Sequence, residues 1–153
     1  MTAVADRLTE LGLELPPVAK PVAAYVPAVV TGNLVFTAGQ LPFVSGTLSA
    51  TGKFGAALAA EDGPALARIC VLNALAAAES VIGSLDRVTR VVKVVAFVAS
   101  TPDFTGQPGV ANGASELLGQ IFGDAGQHAR SAVGVPVLPL DAPVEVELVL
   151  EFA

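Results

Sequence analysis

One run of residues near the middle of the chain restricts the possible folds more than any other. Residues 88–99, VTRVVKVVAFVA, are almost all β-branched or apolar, and only Arg90 and Lys93 interrupt the apolar pattern. Such side chains favour strands because they pack well on a pleated surface. Since successive side chains of a strand point to opposite faces, this strand is apolar on both faces. It is therefore predicted to lie in the centre of a sheet.

The segments before this run are predicted to be a helix, a hairpin and a loop. Residues 2–12 fit a short helix with Thr2 as its N-cap. Two Val-rich runs flank residues 31–33, Thr-Gly-Asn, and a short Gly/Asn connection between such runs is a hairpin signal. The Gly-rich segment VSGTLSATGKFGAALAAEDG that follows is predicted to be a loop.

Two longer helices are predicted, one on each side of the central strand. The first runs from about Gly63 to Leu85, with apolar residues at helical spacing on both of its faces. The second follows the loop TPDFTGQPG and ends at Gly123, a common type of helix stop. One face of the second helix is apolar and comprises Val110, Ala114, Leu117 and Ile121.

The C-terminal segment is predicted to form two more strands. SAVGVPVLPL fits a strand with a break, and PVEVELVLEF alternates between apolar and acidic residues. Its apolar face comprises Val144, Val146, Leu148, Leu150 and Phe152. Its other face carries Glu145, Glu147 and Glu151, of which Glu145 and Glu151 are expected to be solvated.

This order of elements predicts an α+β fold. We expect a single domain over residues 1–153, in which two helices pack on one face of a mixed sheet and a short N-terminal helix is added. No third layer remains to cover the other face of the sheet. Charged residues make up only 14% of the chain, against about 25% in an average domain. Both observations favour self-association.

Composition and the motifs that are missing exclude several classes of function. The net charge is −6 and no run of Lys or Arg occurs, so nucleic-acid binding is disfavoured. A metal site needs three or four ligands, whereas the chain has one histidine, His128, and one cysteine, Cys70. No GxGxxG, phosphate-binding loop or GxSxG pattern is present. We therefore expect no cofactor and no metal.

The expected location is the cytoplasm. The N-terminal segment contains acidic residues and lacks the basic-then-apolar pattern of a signal peptide. No apolar stretch is expected to reach the roughly 20 residues of a membrane helix. Cys70 lies within a helical pattern, which favours a buried packing role over a reactive thiol.

Two long segments resemble the RidA (YjgF) family of reactive-intermediate deaminases. YVPAVVTGNLVFTAGQLPF is similar to the N-terminal block of that family, and HARSAVGVPVLPLDAPVEVELVLEF is similar to its C-terminal signature. The resemblance covers roughly residues 20–153. It implies a chorismate-mutase-like fold, a homotrimer with sites in the clefts between subunits, and hydrolysis of enamines or imines such as 2-aminoacrylate to 2-keto acids and ammonia.

The resemblance also implies which residues act on the substrate. Arg130 matches the arginine that binds the substrate carboxylate, and Glu147 matches the glutamate that holds the attacking water. The substrate-binding positions implied in addition are Tyr25, Ala38, Gly39, Asn112 and Ala132. Ala38 and Ala132 depart from the family pattern, since a serine and a cysteine are common there. Asn112 matches an asparagine that precedes the second helix.

Each of these residues also has a purely structural interpretation. Arg130 could pair with an acid of the same chain at the start of its strand, and Glu147 could be a solvated strand residue. Tyr25 could pack at an interface, Asn112 could cap the second helix, and His128 is expected to be an exposed neighbour of the site. At the level of function, the alternatives are a regulatory trimer that binds a small keto acid without turnover and, less favoured, an endoribonuclease.

Overall fold

A computed structural model describes residues 3–21 and 23–153 of the chain. In chain order, its helices and strands are α1 (Val4–Glu10), β1 (Ala28–Thr31), β2 (Leu34–Thr37), β3 (Phe43–Val44), β4 (Thr47–Leu48), α2 (Gly63–Ile82), β5 (Val88–Ala99), α3 (Gln107–Phe122), β6 (Ala129–Val135) and β7 (Val144–Phe152). This architecture confirms the predicted α+β class. The predicted cap of α1, Thr2, lies outside the described residues.

Five strands form one mixed sheet in the order β1-β2-β7-β5-β6. All neighbours are antiparallel except β5 and β6, which run parallel. A parallel pair needs a crossover connection, and α3 supplies it between β5 and β6. The apolar run 88–99 is thus hydrogen-bonded on both sides, which confirms its prediction as an interior strand.

The core lies between one face of the sheet and the two long helices. Val91, Val94 and Val98 of β5 are fully buried on this side. The alternation predicted for the last strand is confirmed, because Val144, Val146, Leu148 and Leu150 are buried while the glutamates between them are not.

The segment predicted to be a loop after the first hairpin contains a second, smaller hairpin. β3 and β4 pair over only two residues each, and Ser45 and Gly46 between them both have positive φ, at 50° and 81°. Two positive φ values are typical of the tight turns that join antiparallel strands. Strands of two residues are too short to produce a recognisable alternation in the sequence.

The helical segment Ala60–Ile82 corrects one expectation from the sequence. Its 23 residues are long and apolar enough to cross a bilayer by length and composition alone, although no such stretch was expected. However, 61% of its most apolar 18 residues are buried inside the fold. Small side chains such as Ala74 and Ala78 let α2 pack closely against the sheet and α3, and this packing accounts for its apolar character.

Cys70 lies on α2 with no exposed surface, as the helical pattern predicted. Its thiol donates a hydrogen bond to the Val144 carbonyl over 3.7 Å. Burial, and then the nearby charge of Glu145, raise the pKa of the Cys70 thiol well above its usual range. The thiol is therefore protonated and shielded from solvent.

The opposite face of the sheet, which we call the open face, is only partly covered. At one end, Leu41, Leu138 and Ala142 pack against Ala99. Elsewhere the face exposes large apolar side chains, among them Val29, Phe36 and Val133, at 53%, 43% and 45% of their surface. No helix of the described residues covers these exposed side chains, which agrees with the prediction that the chain has no third layer.

Candidate functional site

Arg130 projects from β6 toward the helices rather than toward the open face. It pairs in register with Val94 of β5, whose side chain is buried in the core, so both point to the same side. The guanidinium then meets α3. Its Nη1 donates to Asn112 Oδ1 over 2.9 Å and to Ser115 Oγ over 3.1 Å, and its Nη2 donates to the Pro108 carbonyl over 3.4 Å.

All three acceptors around Arg130 are uncharged. Across residues 3–21 and 23–153, the one ion pair within 4 Å joins Arg7 and Glu10. Arg130 therefore pairs with no acid among the residues that the structure describes. A guanidinium has five N–H donors, so after these three hydrogen bonds the Nε–H and one Nη2–H have no partner in the described part of the chain.

Asn112 lies inside α3 and not before it, which corrects the expected position. The helix begins at Gln107, with Pro108 in its first turn, where a missing N–H is tolerated. Asn112 consequently does not cap the helix, and its side-chain oxygen instead accepts from Arg130. The sequence did not single out Ser115, but its spacing of three residues from Asn112 places both on one face of a helix.

His128 is partly buried and not exposed as expected. Its Nε2 lies 2.8 Å from Ser115 Oγ, and its Nδ1 lies 2.6 Å from the Gly126 carbonyl oxygen. The hydroxyl of Ser115 thus connects His128 to Arg130. We refer to Arg130, Asn112, Ser115 and His128 as the Arg130 cluster.

A second group of the expected residues lies where β2 ends. Phe36 pairs with Val149 and Gln40 pairs with Val146. The chain advances four residues from Phe36 to Gln40, but only three from Val146 to Val149 on the partner strand. The β2 side therefore carries one extra residue, as in a β-bulge. The Thr37 hydroxyl fills the gap by accepting from the Leu148 N–H over 3.0 Å.

The bulge brings the backbone of Gly39 against Glu145. A Cβ at position 39 would collide with the Glu145 side chain in its present position, so the absence of a side chain at Gly39 permits this approach. Ala38 contributes its backbone only, since its N–H donates to the Pro27 carbonyl over 2.7 Å. Gly39 and the half-exposed Tyr25 also line a small cavity of about 40 Å³. We refer to Tyr25, Ala38, Gly39 and Glu145 as the Gly39 region.

Glu145 is partly buried and not fully solvated as expected. Burial, and then repulsion from the charge of Glu147, raise the pKa of the Glu145 carboxyl above its usual value. The alternation of β7 places both glutamates on the open face. Strand alternation could not distinguish between them, because the approach of Gly39 to Glu145 depends on the bulge in the neighbouring strand.

Within one chain, the structure does not bring Arg130 and Glu147 together. Arg130 shares a row with Val94 and Leu148, whereas Glu147 shares a row with Val95 and Ser131. Adjacent residues of a strand point to opposite faces. The two side chains therefore lie on opposite faces of the sheet, with β5 between their strands.

The other expected site residues also fall into two groups, one on the helix side of the sheet and one beside β2. Ala132 follows Arg130 by two residues and packs against the core on the helix side, and Asn112 lies on α3. Tyr25, Ala38 and Gly39 lie by β2. Among the residues that the structure describes, no three His, Cys, Asp or Glu side chains are placed to hold a metal ion together.

Comparison with known proteins assigns this fold and these motifs to a family. A family model described as "YjgF/chorismate_mutase-like, putative endoribonuclease" matches residues 5–152. The chain is 46% identical over 151 residues to Protein TCP17 of Trypanosoma cruzi, covering 97% of this chain and 93% of that protein.

Two solved structures are similar over nearly their whole length. The protein Atu1372 from Agrobacterium tumefaciens, whose function is given as unknown, is 40% identical with a TM-score of 0.91, over 98% of this chain and 92% of that one. A "putative endoribonuclease" from Shewanella oneidensis is 34% identical with a TM-score of 0.95, over 99% and 100%. The chain belongs to the YjgF family.

Proposed function

We propose that this protein hydrolyses small reactive enamines and imines of the 2-aminoacrylate type to 2-keto acids and ammonia. One observation carries the proposal. Arg130 is fixed by three uncharged acceptors, has no carboxylate partner in the described part of the chain, and retains N–H donors. A fixed guanidinium with free donors is suited to bind a substrate carboxylate, to which arginine can donate two parallel hydrogen bonds.

The proposed reaction requires little more than positioning. An enamine first becomes an imine by gaining a proton on its terminal carbon and losing one from its nitrogen. Water then adds to the carbon of the C=N bond and the nitrogen is protonated. The resulting aminoalcohol releases ammonia as its hydroxyl loses a proton and the C=O bond forms. An imine carbon is already electrophilic, so a bound substrate and an oriented water are sufficient, with no metal or cofactor. In this proposal Glu147 orients the water, and Glu145, which lies on the same face, relays a proton between the water and the leaving nitrogen.

A site that uses both Arg130 and the glutamates must combine two chains. Their side chains lie on opposite faces of the sheet in one chain, so only another copy can place an open face against an Arg130 cluster. The exposed apolar residues of the open face and the low charge content support association, and we propose a homotrimer in the cytoplasm. Tyr25, Gly39 and the backbone of Ala38 would then line the cleft next to the substrate.

The test is to give purified protein freshly generated 2-aminoacrylate and to follow the release of pyruvate and ammonia. We expect hydrolysis faster than the spontaneous reaction, and light scattering should report three chains. Catalysed release by the Arg130→Ala variant at the wild-type rate would contradict the proposal. A stable monomer at micromolar concentration would contradict the inter-subunit cleft.

Two other outcomes would identify the alternative functions. Tight keto-acid binding without turnover would indicate a regulatory trimer. Cleavage of RNA by the same preparation would indicate an endoribonuclease, the activity in the name of the Shewanella relative. The net charge of −6 disfavours that outcome, because binding to phosphates requires clustered Lys and Arg.

A further inference from the structure

The Arg130 cluster contains a hydrogen-bonded pair, a serine and a histidine, and the proposed deamination makes no chemical use of that pairing. Ser115 Oγ lies 2.8 Å from His128 Nε2. On the other side of the ring, Nδ1 lies 2.6 Å from the Gly126 carbonyl oxygen. A carbonyl oxygen only accepts hydrogen bonds, so Nδ1 must carry the proton. In the neutral ring, Nε2 is then an acceptor and faces the serine hydroxyl.

The direction of every hydrogen bond in the cluster follows from this. Arg130 has donors only, so its Nη1 donates to Ser115 Oγ over 3.1 Å. The hydroxyl hydrogen of Ser115 is then directed to His128, and His128 donates to Gly126. A hydroxyl paired with a base that a third group orients is the arrangement of an activated nucleophile.

We propose that Ser115 and His128 form a nucleophile–base pair that reacts with small activated acyl esters. The Ser115 oxygen attacks the ester carbonyl carbon while its proton passes to His128 Nε2, and the carbonyl oxygen becomes negative. The Arg130 guanidinium contacts the nucleophile through Nη1, and its two remaining N–H donors stabilise this oxygen. The carbon–oxygen bond to the leaving group then breaks, and His128 returns the proton to the departing alkoxide.

The second half of the reaction regenerates the serine. Water attacks the acyl-serine carbonyl, His128 accepts a proton from the water, and Ser115 leaves with that proton. The net reaction converts ester and water to a carboxylic acid and an alcohol, without an oxidant or a cofactor. Because this activity needs Ser115 as a nucleophile, it can be measured separately from keto-acid formation.

The experiment treats the full-length protein with a fluorophosphonate probe and with p-nitrophenyl acetate. Mass spectrometry should place one phosphonyl group on Ser115, and Ser115→Ala should remove the label. We expect His128→Gln to slow labelling roughly 100-fold or more, the usual contribution of a general base. Ser80→Ala is the control, since Ser80 is an exposed helix serine whose hydroxyl donates to a backbone carbonyl and contacts no histidine.

A cysteine variant provides a second measurement that does not depend on the alanine variant. Ser115→Cys should be alkylated by iodoacetamide faster than Ser80→Cys, and His128→Gln should remove that advantage. The proposal is overturned if the wild type is not labelled, if Ser115→Ala is labelled as fast as wild type, or if the two cysteines react at equal rates.

Discussion

The Arg130 cluster and the Gly39 region position an ionisable side chain in opposite ways. The guanidinium of Arg130 is held by neighbouring side chains, whereas the carboxyl of Glu145 fits because Gly39 has no side chain. Asn112 and Ser115 accept hydrogen bonds from Arg130 and determine where its guanidinium lies. Glu145 lies against Gly39, where no Cβ occupies the space. The first arrangement is therefore sensitive to removing atoms, and the second is sensitive to adding them.

Removing the guanidinium itself should have the largest effect. We expect Arg130→Ala to weaken the binding of pyruvate or 2-oxobutanoate by about 2–4 kcal/mol, or roughly 30- to 1000-fold, because two hydrogen bonds to a charged group are lost. Arg130→Lys should recover only part of this, since an ammonium cannot form the planar pair. Calorimetry on variants with an unchanged oligomeric state measures the effect.

The matched control for this variant is Arg68→Ala. Arg68 also donates to an uncharged side chain of α3, Gln120, over 3.3 Å, but it lies on α2. Its removal should leave keto-acid binding unchanged. Equal binding by Arg130→Ala and wild type would show that Arg130 has only a structural role.

Adding one methyl group at Gly39 tests the opposite arrangement. We expect Gly39→Ala to lower the free energy of unfolding by roughly 1–3 kcal/mol, because its Cβ collides with the Glu145 carboxylate. Glu145→Ala in the same chain should restore much of the loss. Gly119→Ala is the control, since a Cβ there meets nothing within 4 Å and alanine favours the helix. Urea denaturation compares the four proteins, and equal losses at positions 39 and 119 would argue against the collision.

Removing one hydrogen-bond acceptor from Arg130 should have a smaller effect than removing the arginine. Asn112→Ala should weaken keto-acid binding by about 0.5–1.5 kcal/mol, or roughly 2- to 10-fold, as the guanidinium loses one of its supports. Glu116→Ala, an exposed change on the same helix, is the control. Unchanged binding in both variants would mean that Ser115 and Pro108 hold Arg130 without Asn112.

The smallest expected effect is the pH dependence contributed by Glu145. Its pKa is raised above the ordinary value of 4.5, so the folded chain holds this proton more tightly than the unfolded chain does. The resulting stabilisation is complete below pH 4.5 and is lost as the pH rises through the raised pKa. Glu145→Gln lacks this titration. Thermal melts should therefore show the wild type losing Tm relative to the variant over that range, and parallel curves would contradict the raised pKa.

The sequence predicted the fold well because local patterns determine it. The β-branched run 88–99, the alternation in 144–152 and the spacing in the helices were sufficient to derive the α+β order, and the structure confirms it. The boundaries were less accurate, since α3 begins at Gln107 and includes Asn112. A proline in the first turn of a helix resembles a loop residue when only the sequence is read.

The site could be predicted only in part, because its geometry depends on contacts between distant segments. The motif around Arg130 identified the arginine, but its contact with Ser115 depends on how α3 crosses β6. The enclosed position of Glu145 depends on a bulge in another strand, which no pattern in its own strand reveals. That Arg130 and Glu147 lie on opposite faces follows from strand register, which is a property of the whole sheet.

The buried thiol of Cys70 has a practical consequence for studying assembly. Because the chain has no other cysteine, a new cysteine at Val133 on the open face would be the one thiol on the surface of a single folded chain. A spin label or fluorophore would attach there without a cysteine-free background. Its mobility, followed during dilution, would then report directly whether the open face is covered in solution.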